Sequence, residues 1–112
     1  MSKFDDCMDD YRKQLTKIGV SFDEDLLKKV AKGLGPSIYN RDSSTVAASD
    51  QSELDRVKKN FLMKKCGQKD SAELDAAIQA VVTQIGSGVR NKYRAVVYYL
   101  LVKKLGLEKV YG

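Results

Sequence analysis

Arg90, Lys92 and Arg94 stand at alternate positions around Tyr93, and Tyr98 and Tyr99 follow shortly after. Cations interleaved with aromatic rings are the side chains that grip phosphate and stack on bases. Tyr39 and Arg41 repeat the combination earlier in the chain. Gly86-Ser87-Gly88 precedes the first group and opens a helix expected over residues 88–105. The free amides at such a start attract anions, whereas cations there oppose the helix dipole by about 0.3–1 kcal/mol each. A negative group should therefore balance Arg90, Lys92 and Arg94. Two sources are open: an acid of this chain or of a second copy, with Asp42 and the acidic start of the first helix as candidates, or an external phosphate, carboxylate or acidic protein surface. The plainer reading of the tyrosines is that they flank a core helix with their hydroxyls at its edge.

The rest of the chemical inventory is thin. The chain has no histidine, which removes the commonest general base and the usual zinc ligand. Cys7 lies among four aspartates and Cys66 at an expected helix C-terminus, and both surroundings disfavour a thiolate. Lys32 to Ser37 is glycine-rich but lacks the Gly-Lys-Ser/Thr ending of a phosphate loop and a preceding strand. A dinucleotide fingerprint starting at Gly86 fails at Asn91, where a third glycine would stand. Asp5/Asp9 and Asp6/Asp10 are carboxylate pairs one helical turn apart without calcium-loop spacing. No catalytic residue, metal or cofactor is expected, and the chain reads as a non-enzyme. An enzyme using Asp, Lys or Tyr as acid and base is the remaining catalytic alternative.

The 112 residues suit one domain and carry 20 Lys and Arg against 15 Asp and Glu. The net charge of +5 is uneven: no acid falls between Asp75 and Glu108, where Arg90, Lys92, Arg94, Lys103 and Lys104 lie. The opening MSKFDDCMDD is acidic and lacks an apolar stretch, so no secretory signal is expected. The longest apolar run, Ala95 to Val102, is far below the roughly 18 residues that span a bilayer. A cytoplasmic protein with reduced thiols follows, a Cys7–Cys66 bridge being the alternative.

These groups must be positioned by helices. Phe4, Cys7, Met8, Tyr11, Leu15 and Ile18 form one stripe over residues 3–18, closed by Gly19. Ser21 and Glu24 have capping-box spacing for a helix over 22–32, with Phe22, Leu26, Leu27, Val30 and Ala31 on its face and Gly33, Gly35 and Pro36 as terminators. Residues 36–49 form a long polar connection packed by Ile38, Tyr39 and Val46. Asp50 caps a helix over 51–66 with Leu54, Val57, Phe61 and Leu62 inside. Asp70 caps one over 71–85 with Leu74, Ala77, Ile78, Val81, Val82 and Ile85 inside. The second half of the last helix, AVVYYLLV, is apolar all round, so it should lie at the centre of the bundle. No competing strand pattern is present. The expected fold is all-α, five main helices in a single domain with the C-terminal helix (about 88–105) central.

KGLGPSIYN at 32–40 and RNKYRAVVYYLLVKK at 90–104, with VAASD at 46–50 and the terminal VYG at 110–112, resemble a family of small bacterial proteins catalogued only as a domain of unknown function. The resemblance covers nearly the whole chain. It implies an all-helical fold of about this length and a bacterial cytosolic setting, and names no activity or catalytic residue. The abundance of apolar helix and the absence of a catalytic constellation point to a protein that works by protein–protein contact, through self-association as a homodimer or with another protein. The alternative is an anion- or nucleic-acid-binding module built on Arg90, Lys92, Tyr93 and Arg94 with Tyr39 and Arg41. No membrane association is expected.

Overall fold

Four acids crowd the first turns of the first helix, where its dipole favours them, and an apolar stripe runs behind them. The resulting α1 spans Lys3–Lys17 and buries Met8, Tyr11 and Leu15. The computed structural model describes residues 3–40, 43–86, 89 and 92–111. Gly19, at φ 76°, turns the chain, and the Val20 N–H reaches back to the Leu15 carbonyl at 3.0 Å. The second helix, α2, spans Glu24–Leu34. Its cap is Asp23 rather than Ser21: the Asp23 carboxylate accepts the amides of Asp25 and Leu26 at 3.0 and 3.3 Å. The Asp23 amide itself donates to the Tyr99 hydroxyl at 2.8 Å, so a core tyrosine fixes where the helix begins. Nor does α2 stop at Gly33. It runs to Gly35, whose φ of 65° only glycine takes cheaply.

Gly35–Tyr39 continues as a 3₁₀ turn, and Thr45–Val46 forms the short strand β1. Asp50 caps α3, Gln51–Arg56, as expected. The helix then widens to a π-helical segment, Val57–Met63, before Gly67 ends it at φ 69°. Both parts keep one buried face, Leu54, Val57, Phe61 and Leu62, and the Phe61 ring stacks on Tyr98 with centroids 3.9 Å apart. The fourth helix, α4, spans Ala72–Ile85 with Ser71, not Asp70, at its N-cap.

The last helix departs most from expectation. It starts at Arg94, not near residue 88, and α5 spans Arg94–Leu105. Lys92–Tyr93 are strand β2, paired antiparallel with β1 in the register Thr45↔Tyr93 and Val46↔Lys92. Two-residue strands are too short to leave a periodic trace, and backbone pairing with a distant loop overrides local helical preference. Central placement of α5 holds: every residue from Ala95 to Val102 is buried, with α2 and α4 as its main neighbours and α1, β1 and β2 completing the shell. A 3₁₀ turn, Glu108–Tyr111, follows and packs on α2. Among the described residues the fold is all-α apart from this two-stranded ribbon. Cys7 and Cys66 are both free. Among the described residues no helix is long and apolar enough to cross a membrane.

Candidate functional site

Arg94 stands where β2 becomes α5, and its donors all turn inward. The Nε donates to the Ser43 carbonyl at 2.8 Å, one terminal nitrogen to the Tyr98 hydroxyl at 3.3 Å, and the other to the Thr45 carbonyl at 3.2 Å and to the Glu53 carboxylate. Its amide donates to the Ser44 carbonyl at 2.8 Å. The pair is largely enclosed, with side-chain exposures of 15% for Arg94 and 12% for Glu53. Burial works against the Arg94 charge, but the Tyr98 hydroxyl and the Glu53 carboxylate outweigh it and hold the guanidinium above its ordinary value. The acid that balances Arg94 is thus internal. Among the described residues it is Glu53 of α3, not the acidic start of α1, and Glu53 also meets Arg56 at 3.3 Å. Arg94 fastens the 43–46 segment to α5 and α3.

Lys92 is spent in the same way. It is 5% exposed, and its Nζ donates to the Val89 carbonyl at 2.7 Å. Tyr93 is half-buried with its ring edge-on to Tyr11 at 5.4 Å, and its amide donates to Gln14 Oε1 at 3.2 Å. Beside it a cleft of about 210 Å³ is lined by Asp10, Lys13, Gln14, Lys17, Ile18 and Val89. Arg41 and Arg90 lie outside the described residues, as do Asp42, Ser87, Gly88 and Asn91. The structure therefore brings Lys92, Tyr93 and Arg94 together at one junction, but directs both cations to internal oxygens.

Tyr39 lies apart from them. At 47% exposure it is the most open large apolar side chain among the described residues. It borders a cleft of about 330 Å³ whose other walls include Phe4 of α1, Ala31 of α2, and Pro36 and Ile38 of the 3₁₀ turn. The exposed Lys32 of α2 also lines this cleft. Behind it Cys7 Sγ donates to the Ile38 carbonyl at 3.8 Å. Burial pushes the Cys7 thiol up, with Asp10 and Asp6 adding to the effect, and burial pushes up Cys66. Both thiols are poor nucleophiles at neutral pH. The sequence signal for this face was present in Gly35-Pro36: a helix stopped by a rigid turn leaves its last apolar residues partly uncovered.

Comparison with known protein families fits this picture of a small helical unit. A family model matches residues 10–109 and is described as a protein of unknown function, DUF2853. The chain belongs to the DUF2853 family. No curated protein matches the sequence. In this DUF2853 protein the apolar helix of the quoted segment RNKYRAVVYYLLVKK is α5, and its Lys92 and Arg94 stand at the junction before that helix.

Proposed function

We propose that this DUF2853 protein is a non-catalytic module of a reducing, cytoplasmic compartment that works by protein–protein contact, pairing with a second copy of itself through the face around Tyr39. The observation that carries this reading is a large aromatic ring, about half open to solvent, beside an apolar cleft lined by Phe4, Pro36 and Ile38. Tyrosine is enriched at such contacts because its ring buries area while its hydroxyl stays wet. Pairing about a two-fold axis needs a patch compatible with itself. The walls of the cleft are mainly apolar, with Lys32 the charged residue that lines it, and an apolar patch is compatible with a copy of itself. A standard interface buries about 800 Å² per partner, roughly an eighth of the 6612 Å² surface. Free thiols and the absence of histidine support the compartment and the non-catalytic role.

Sedimentation velocity over a concentration series tests it. The wild type should shift toward a dimer near the top of the series, and Tyr39→Asp should stay monomeric while keeping its helical signal. A wild type that remains monomeric throughout rules out the self-contact.

The anion- or nucleic-acid reading keeps one footing, Lys13 and Lys17 beside Tyr93, but Asp10 shares that cleft. If it held, single-stranded nucleic acid would bind at low salt and lose affinity steeply as salt rises.

A further inference from the structure

We propose that the cleft where α5 meets the α1–α2 turn and the end of α4 binds a small phosphate monoester, with the phosphate on Lys103 and Lys104 and the ester group against Val20 and Leu100. It is independent of the Tyr39 face.

The cleft has a volume of about 290 Å³, close to the lower bound of about 300 Å³ for small-molecule sites. Gly19, at φ 76°, turns the chain out of α1 and brings Val20 and Ser21 to one wall. Gln84 comes from the last turn of α4, and Tyr99, Leu100, Lys103 and Lys104 come from α5. On α5 each lysine stands one turn beyond an apolar or aromatic wall residue, Lys103 after Tyr99 and Lys104 after Leu100. The cleft thus has a cationic end and an apolar end.

Its lining holds two cations and no carboxylate. By contrast, Asp10 shares the cleft of Lys13 and Lys17, Asp25 that of Lys29, and Glu73 that of Lys69. Asp23, two residues from Ser21, turns its carboxylate to the amides of Asp25 and Leu26. Lys58 and Lys92 are committed to Asp70 and to the Val89 carbonyl. Among the described residues the side chains of Lys103, Lys104, Ser21 and Gln84 have no such partner. Lysines in a last turn suit the helix dipole, which accounts for their position on α5 but not for the hydroxyl and amide that face the same cleft. Tyr99, 1% exposed, adds a further donor: its hydroxyl accepts the Asp23 amide at 2.8 Å, and its own hydrogen has no acceptor among the described residues.

Two ammonium groups act as point charges and are best matched by a dianion. A phosphate monoester carries about −1.5 to −2 at neutral pH and three strong acceptor oxygens. A carboxylate carries a single charge and is gripped best by the planar fork of arginine, which this cleft lacks. Val20, Leu100 and the Tyr99 ring give the ester group apolar surface to cover, so an aryl ester should bind better than phosphate alone.

Amide chemical shifts of the isotopically labelled full chain test this, with phenyl phosphate, inorganic phosphate and benzoate as probes up to about 10 mM. Phenyl phosphate should give saturable shifts at Val20, Ser21, Gln84 and Leu100, and should bind at least about fivefold more tightly than either other probe. Lys103→Gln/Lys104→Gln should weaken it at least about tenfold. Lys59→Gln/Lys64→Gln, which removes the same charge from exposed positions outside the cleft, should leave it within about twofold. All four lysines are exposed, so both variants should keep the native circular dichroism. No saturable shifts, shifts centred elsewhere, inorganic phosphate or benzoate bound as tightly as phenyl phosphate, or equal weakening by the two variants would each overturn the site.

Discussion

Arg94 and Glu53, 41 residues apart, form the enclosed ion pair that ties the start of α5 to α3. Removing one partner strands the other charge in a poorly solvated position, which costs about 3–5 kcal/mol for fully buried pairs and somewhat less here. Replacing both with apolar residues removes the stranded charge. We expect Arg94→Met and Glu53→Leu each to destabilise by roughly 2–4 kcal/mol, and the double variant by clearly less than their sum. Urea denaturation of the four proteins measures the coupling. Additive effects would show that the pair is not the clasp described above.

Much of the fold was readable in the residues. The stripe in α1, the Asp50 cap and the all-round apolar half of α5 fixed three elements and the centre of the bundle. Five of the glycines, Gly19, Gly35, Gly67, Gly86 and Gly106, stand at helix ends with positive φ. What could not be read was set by contacts across the chain. Ser21-x-x-Glu24 has capping-box spacing, but the Tyr99 hydroxyl holds the Asp23 amide and moves the start. Glu53 reads locally as a capping partner of Asp50, and only the fold turns it toward Arg94. Gly33 looks like a helix stop until Lys65 and Tyr111 are seen over it. The strands β1 and β2 exist because Ser44, Thr45 and Val46 are held beside Lys92 to Arg94, which no local pattern encodes.

Gly106 is where backbone conformation alone decides the residue. Its φ and ψ lie in the left-handed region, and nothing crowds a Cβ there. The cost of a side chain is thus conformational, about 1 kcal/mol for alanine, and less for asparagine, which tolerates this region better. Thermal denaturation should rank wild type above Gly106→Asn above Gly106→Ala. Equal melting temperatures for all three would contradict the assignment.

Alkaline pH should weaken the fold through Tyr11. Its hydroxyl is buried, and burial, with the adjacent Cys7, pushes the phenol well above its ordinary value of 10.0. A folded-state value raised above the unfolded one means that the native state holds its proton more tightly. The associated stability is fully present below about pH 10 and is lost progressively as pH rises beyond it. Denaturation midpoints should therefore fall from pH 9 to pH 11, and Tyr11→Phe should flatten the decline. A decline as steep in the variant would assign it to other groups.

Acid should act in the opposite sense and weakly at α1–α2. Arg12 holds Glu24 through two contacts of 2.7 and 2.8 Å and depresses the Glu24 carboxyl below its ordinary value. That stability is present above the ordinary carboxylate value and lost as pH falls through the depressed one. Both side chains are more than a third exposed, so solvent screening limits the pair to about 0.5 kcal/mol. Glu24→Gln should lower stability at pH 7 by no more than that and should make little difference at pH 3. A loss of several kcal/mol at pH 7 would show that the pair is structural.

The most direct test of the contact face is an amide chemical-shift series on isotopically labelled protein diluted from about 1 mM to about 10 µM. Concentration-dependent shifts should cluster on Phe4, Ala31, Lys32, Ile38 and Tyr39, and should vanish in Tyr39→Asp. Shifts that cluster instead around Lys13, Lys17 and Tyr93, or no shifts at any concentration, would contradict the account.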